Sequence, residues 1–435
     1  MKKYFAALLA LVCLAILPAC DKDSGIPTPE PPVQPDKPSQ PDKPDTPDEP
    51  DTPDVPDTPD TPDTPDNPDD PSNNEEAWEG GDWMTWPFAK GADVSYVTQM
   101  EDEGFKFHHV AANGGGEDEL MAILKEDCGV NAIRLRVWVN PDPMRKGGKI
   151  YNDKEDVLKK AIRANELGLK LMIDFHFSDY WADPGKQYMP EAWKNYSVAE
   201  IKNAITDHVT DILGALRDNG ITPKWVQLGN EVSWGMLWNP DNAKGASNSG
   251  QPNGDNFDTP QHANFAGYIQ TAYDAVKTID AGICTIVHVT DAYNEYPAKW
   301  VFDILTHYNV NYDMIGLSLY PTQAKGYVKS QLMSKYVNPA IANAKNLTTN
   351  YGKPVIFAEV GMPWDDAEGS VQMITAIMDA AKTDKNIRGI FYWEPEANPT
   401  WEAEGTGKNG YTLGGFNPSN NSPTNALSPF LNNID

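Results

Sequence analysis

Two glutamates stand where apolar runs give out. Residues 225–231 read Trp-Val-Gln-Leu-Gly-Asn-Glu, and residues 354–359 read Pro-Val-Ile-Phe-Ala-Glu. Each is a short strand-like segment ending on a carboxyl group, the first with the amide of Asn230 beside it and Gly229 allowing close backbone approach. An amide and a carboxyl at a buried strand end cost free energy unless the pair has a task. Two carboxylates on strand ends of one sheet are the minimum equipment for cutting a glycosidic bond. Glu231 and Glu359 are therefore the candidate catalytic pair.

A sheet must bring them together. Strand-like runs fall at 91–97, 132–139, 170–177, 225–228, 285–289, 314–319, 354–358 and 387–393, with amphipathic segments such as 153–167, 198–217, 264–278 and 370–382 between them. Eight strands separated by helical crossovers predict a (β/α)8 TIM barrel of the α/β class, whose active site lies at the carboxyl ends of the strands. A doubly wound open sheet is the alternative, but no Gly-x-Gly-x-x-Gly or Gly-x-x-x-x-Gly-Lys turn follows any strand.

The strand ends collect polar and aromatic residues. Arg134, Arg136 and Trp138 alternate with apolar residues and share one face. An arginine inside a barrel needs a carboxylate, and Glu359 is the obvious partner for Arg134; structural ion pairs that close the barrel are the other use. The third strand supplies Asp174, His176 and Ser178, then Asp179, Trp181 and Asp183. Metal binding by His176, Asp179 and Asp183 is conceivable, but zinc usually takes a second His or a Cys, so recognition of sugar hydroxyls is the better use. Ser318 and Tyr320 end the sixth strand. Trp393 ends the eighth and would floor a sugar subsite, while Glu394 and Glu396 beyond it are rival carboxylates held in a proline-rigid turn.

The formal charge of −28 is uneven: residues 21–76 carry 18 acidic and 3 basic side chains. An acidic surface argues against a nucleic-acid partner. Thirteen Trp and eighteen Tyr lean towards carbohydrate, since flat rings stack on sugar faces. Lys2-Lys3, an apolar run and Leu17-Pro18-Ala19-Cys20 form a secretory signal over residues 1–20 that resembles a bacterial lipobox with Cys20 as the lipidated residue; an ordinary signal with an incidental Cys is the alternative. Residues 21–76 are a Pro-Asp-Thr-rich linker too poor in apolar side chains to fold. As polyproline II, about 55 residues would reach on the order of 150 Å, which suits a stalk on an envelope surface as well as a passive tether. Residues 77–435 are the catalytic domain. Its cysteines, Cys128 and Cys284, sit in apolar stretches and read as free buried thiols rather than a disulfide.

Four motifs in order, Arg134-Leu-Arg-Val-Trp-Val-Asn-Pro141, Asp174-Phe-His-Phe-Ser-Asp-Tyr-Trp-Ala-Asp-Pro184, Asn230-Glu231 and Tyr392-Trp-Glu-Pro395, together resemble glycoside hydrolase family 53, the arabinogalactan endo-β-1,4-galactanases, over nearly everything from Ala89 to Phe430. The resemblance implies a retaining, two-step cleavage of β-1,4-galactan, with Glu231 as acid/base, Glu359 as nucleophile and their carboxyl groups ~5 to 5.5 Å apart. It also implies that Asn230 bonds the sugar's 2-hydroxyl and that Arg134 orients Glu359. His176, Trp181, Asp183, Tyr320 and Trp393 would line the sugar site, with Asp291 a weaker candidate. Some bacterial relatives carry a His-containing calcium loop after the seventh strand. Here that region holds Asp365, Asp366 and Glu368 without the histidine; the three could hold a structural calcium or form a solvated acidic turn, there is no clear ligand motif, and no cofactor is required. The expected partners are the polysaccharide and, through the lipid, the outer membrane surface; monomer is the default state. A mannan- or β-glucan-cutting relative and a non-catalytic glycan-binding lipoprotein are the competing readings.

Overall fold

Strict alternation along the strands sorts the side chains into a barrel interior and a layer beneath the helices. The computed structural model describes residues 82–142, 148–242, 244–402 and 410–434. The signal segment, Cys20 and the 21–76 linker lie outside them. The strands are β1 (Ala89–Asp93), β2 (Ala132–Val137), β3 (Lys170–Phe175), β4 (Trp225–Gln227), β5 (Cys284–Val289), β6 (Met314–Leu319), β7 (Val355–Val360) and β8 (Ile387–Trp393). All pair in parallel, and β1 hydrogen-bonds to both β2 and β8, which closes the barrel. The expected strand at 91–97 is displaced: it ends at Asp93, where Ser95 N–H and Oγ–H both donate to the Asp93 carboxylate and turn the chain.

The crossovers are α1 (Leu120–Cys128), α2 (Lys154–Glu166), α3 (Val198–Asp218), α4 (Pro260–Ile279), α5 (Glu295–His307), α6 (Asn338–Tyr351) and α7 (Ala367–Thr383). Their starts are written in the sequence. Ser197 and Glu200 form a reciprocal capping box on α3, and Thr259 caps α4 ahead of Pro260. The eighth position differs. A 3-10 segment, Asn425–Leu431, packs against α7 and α1 where an eighth helix would stand, and Pro429 within it bars a regular helix.

The barrel interior has two halves. The amino-terminal half is apolar: Ala89, Ala132, Met172, Trp225, Cys284, Met314 and Phe391 fill it. Trp86 closes it, edge-on to Trp225 at 5.6 Å, with Trp225 edge-on to Phe391 at 5.9 Å. Cys128 and Cys284 are both buried and free. The carboxyl-terminal half is polar and ionic, and the same inward positions that hold Ala132, Met172 and Trp225 below hold Arg134, Asp174 and Gln227 above. Gly316 on β6 makes room for it: a Cβ there would come within 2.8 Å of Ile286 and 3.2 Å of His288.

Candidate active site

Arg134 organises the polar half. Its guanidinium donates to Gln227 Oε1 (2.7 Å), Asp93 Oδ2 (2.6 Å), Asp174 Oδ2 (2.9 Å) and Asn230 Oδ1 (2.9 Å), and pairs with Glu359 Oε1 at 2.8 Å. A cation wholly out of water is tolerated because three carboxylates and two amides meet it. Arg134 does not line the cavity above; it lies beneath, holding residues that do.

Glu359 reaches that position through a bulge. The register between β6 and β7 shifts after Leu317↔Phe357, so that Ser318 pairs with Glu359. Ala358 belongs to the barrel interior and Phe357 and Val360 to the outer core. Simple alternation would send residue 359 outward with 357; the extra residue turns its carboxyl inward. The Tyr320 hydroxyl then donates to Glu359 Oε2 at 2.9 Å.

Glu231 arrives by a different route. Gly229 has φ 102°, a region open to glycine, where a Cβ would meet Val232 Cγ1 at 2.6 Å. Glu231 itself has φ 45°, a strained value for a side chain of this kind. Gln187 Nε2–H donates to the carbonyls of Asn230 (2.6 Å) and Glu231 (3.2 Å), and the Glu231 N–H donates to His288 Nδ1 (3.4 Å). A loop from the β3 side therefore braces the turn from below.

Glu231 and Glu359 line one cavity of about 380 Å³ with His176, Trp181, Asp183, Asn230, Tyr320 and Trp393. Burial pushes both carboxyls up. Glu231 rises to about 8, with the Glu359 charge adding to burial. Glu359 rises only to about 7, because Arg134 and the Tyr320 hydroxyl pull against burial. The arginine thus does not hold Glu359 in the ordinary carboxylate range, as its contact alone would imply; it keeps Glu359 the more acidic of the pair. Among the described residues no cation forms an ion pair with Glu231.

The other expected residues divide. His176 lines the cavity with both ring nitrogens engaged: Nε2 bonds Asp174 at 3.0 Å, and Nδ1 accepts from the Ala182 N–H (3.1 Å) and Trp138 Nε1–H (3.2 Å). Asp179 accepts N–H bonds from Asn140 and Glu191. Those partners leave neither residue free for a metal, and no group of three metal-ligating side chains occurs among the described residues. Asp366 caps α7 and pairs with Lys329 at 2.8 Å, which fits a helix start rather than a calcium ligand. Asn230 spends Oδ1 on Arg134 and one Nδ2 hydrogen on the Ala182 carbonyl, keeping its second amide hydrogen. Asp291, at φ 57° beyond β5, bonds the Tyr293 hydroxyl at 3.4 Å; Thr290, not Asp291, is at the cavity wall. Of the rival carboxylates, Glu394 pairs with Arg136 and accepts from the Tyr96 N–H, and neither it nor Glu396 lines the cavity.

Arg136 lies among the aromatic rings that line the cavity. Its guanidinium lies 4.4 Å from the Tyr96 ring centre and 4.3 Å from that of Trp181, so aromatic faces replace most of its polar partners. Trp181 meets Trp393 at 5.8 Å, and Tyr411 meets Trp393 at 4.6 Å. Tyr96, Thr290 and Tyr411 are lining residues that sequence reasoning missed. Tyr96 lies three residues beyond β1, where a search of strand ends would find it; Tyr411 comes from an irregular loop with no local signal.

The profile of Glycosyl hydrolase family 53 matches residues 89–430. An arabinogalactan endo-β-1,4-galactanase of Cellvibrio japonicus is 31% identical over 333 residues, 71% of this chain and 80% of its own. An endo-β-1,4-galactanase of Bacillus subtilis is 30% identical over 361 residues, 74% and 76% respectively. Among solved structures, a fungal β-1,4-galactanase superposes with a TM-score of 0.64 at 26% identity, covering 79% of this chain and 99% of its own.

Proposed function

Since this chain belongs to glycosyl hydrolase family 53, we propose that it cleaves β-1,4-galactosidic bonds of pectic galactan and type I arabinogalactan by double displacement. The observation that carries the reading is the unequal pair of carboxyls in one cavity, Glu359 held by Arg134 and Tyr320, Glu231 by no cation. In the first step a Glu359 oxygen attacks the anomeric carbon while Glu231 gives its proton to the departing glycosidic oxygen. The ester so formed removes the negative charge at Glu359. Glu231, having given up its proton and no longer facing that charge, stands as the carboxylate and takes a proton from the incoming water, which displaces Glu359. Asn230 offers its remaining amide hydrogen to the 2-hydroxyl, and Trp393 and Trp181 provide the stacking floor. No metal or organic cofactor enters either step.

Incubation with galactan, mannan and β-glucan, read as new reducing ends, tests the substrate; cutting of mannan or β-glucan in preference to galactan would replace it, and binding without cutting would leave a glycan-capture protein. Proton NMR of the first-formed product tests retention. Lipidation at Cys20 and residence as a monomer on the outer face of a bacterial envelope belong to the same proposal, supported by the Leu17–Cys20 sequence. Palmitate labelling that persists in Cys20→Ser would refute the anchor.

A further inference from the structure

The loop after β3 has two faces. Lys186, Gln187, Tyr188 and Met189 run extended, clipped to the loop beyond Glu231: the Trp238 N–H donates to the Gln187 carbonyl (2.7 Å) and the Met189 N–H to the Trp238 carbonyl (3.0 Å). Successive side chains therefore point to opposite sides. Gln187 and Met189 are buried, and the Gln187 amide donates to the carbonyls of Asn230 and Glu231. Lys186 and Tyr188 share the other face. Lys186 lines the catalytic cavity, and Tyr188 beside it is 45% exposed.

A lone exposed tyrosine is ordinary on a protein surface. This one is held in place. Asp183 and Lys186 exchange backbone hydrogen bonds of 2.8 and 2.9 Å across Pro184-Gly185, which fixes the near end of the strip. The buried Trp238 meets the Tyr188 ring edge-on, with centres 6.0 Å apart and planes at 89°, and its indole N–H donates to the Trp234 carbonyl at 3.2 Å. The ring is thus set before any ligand arrives and loses little freedom on binding one.

We propose that Lys186 and Tyr188 bind the galactan chain on the leaving-group side of the cut, a role that rests on the galactanase reading of the site. The side follows from Gln187. The buried face of the strip holds the turn of Glu231, which protonates the departing oxygen, so the open face lies beside the sugar that departs. The chemistry fits as well. A β-galactosyl unit gathers the C–H groups of C3, C4 and C5 on the face opposite its axial oxygen, and such a face stacks on a phenol ring. Lys186, paired with Asp183 at 3.2 Å, offers ammonium hydrogens to the ring hydroxyls. In a two-step enzyme this site has a second use. Once the Glu359 ester has formed, a sugar hydroxyl seated there takes the place of water: its oxygen bonds the anomeric carbon, the bond to Glu359 breaks with its electron pair returning to that carboxylate, and Glu231 takes the hydroxyl proton. The strip therefore sets how often the galactosyl group passes to another sugar rather than to water.

The test uses the full chain, an aryl β-galactobioside as donor and galactotriose as acceptor, with transfer products and free galactobiose separated by chromatography. A ring contact of the strength of an aromatic pair corresponds to a change of about 2- to 12-fold. Tyr188→Ala should lower both the ratio of transfer to hydrolysis and kcat/KM on galactan by that factor. Tyr188→Leu keeps an apolar contact with Trp238 and should fall as far, whereas Tyr188→Phe should stay near the wild type. An unmoved ratio in Tyr188→Ala overturns the inference. So does a loss on the aryl donor alone that equals the loss on galactan, which would put the ring on the other side of the cut. A wild type that leaves galactan intact sinks the galactanase reading and this site with it, a result seen before any substitution is made.

Discussion

Glu231 carries a stability penalty that its amide would not. Its carboxyl has a pKa of about 8 in the folded protein against 4.5 without burial. The folded value is the higher one, so the folded state binds the proton more tightly. Stability from this group is fully present below pH 4.5 and drains away as the pH rises to about 8. At about 1.4 kcal/mol per unit, the whole window corresponds to roughly 4–5 kcal/mol as an upper limit. An unfolding entropy of about 2.1 cal/mol/K per residue over about 350 residues makes 1 kcal/mol about 1.4 °C in Tm. Glu231→Gln should therefore match the wild type at pH 4.5 and exceed it by about 3–6 °C at pH 8–9, measured by calorimetry on both proteins across that range. Glu359→Gln should gain less across the same range, because Arg134 at 2.8 Å pulls against burial and the folded value rises only to about 7. Parallel melting curves for wild type and Glu231→Gln from pH 5 to 9 would refute the reasoning, since the carboxyl would then be as well solvated folded as unfolded.

Three further outcomes follow from the same geometry. The kcat/KM profile should be a narrow bell, falling below about 7 as Glu359 gains a proton and above about 8 as Glu231 loses one; a maximum below pH 5 contradicts it. Arg134→Met leaves Asp93, Asp174 and Glu359 buried without their cation and should destabilise by about 3–5 kcal/mol in denaturant unfolding; a change under 1 kcal/mol would mean water reaches the cluster. Trp393→Ala removes a half-buried ring beside the catalytic pair and should lower kcat/KM on oligosaccharides by about 5- to 150-fold, with Trp393→Phe intermediate; equal rates for all three would deny it a stacking role.

The strands and most of the helices were legible because each rests on local chemistry, apolar runs for the strands and amphipathic stretches such as 198–217 for the crossovers, whereas the start of α4 at Pro260, four residues before the expected 264, is set by the Thr259 cap. The site was legible at strand ends for the same reason, since a charged residue closing an apolar run has few structural uses. What could not be read depends on pairs far apart in the chain. The end of β1 is decided by an Asp93–Ser95 turn, and the missing eighth helix by a 3-10 segment packed between α7 and α1. Tyr411 meets Trp393 from a loop without periodicity. The fates of Arg136 and Glu394 could only be settled once each was seen to be the other's partner.

Glu359 shows how far sequence alternation can mislead. Phe357 and Val360 face the helices, so the period-two pattern gives residue 359 no reason to face the barrel. One additional residue in β7 reverses that, and the reversal is held because Arg134 and Tyr320 both bond the carboxyl that results. The bulge is stable only while the arginine is there to meet an inward charge, and the arginine is tolerable only while carboxylates surround it. Each feature thereby offsets the desolvation of the other, which lets a barrel with an apolar lower half carry a charged upper one. The polar half is thus a single unit around Arg134, which bonds Glu359 directly and reaches the Glu231 turn through Asn230.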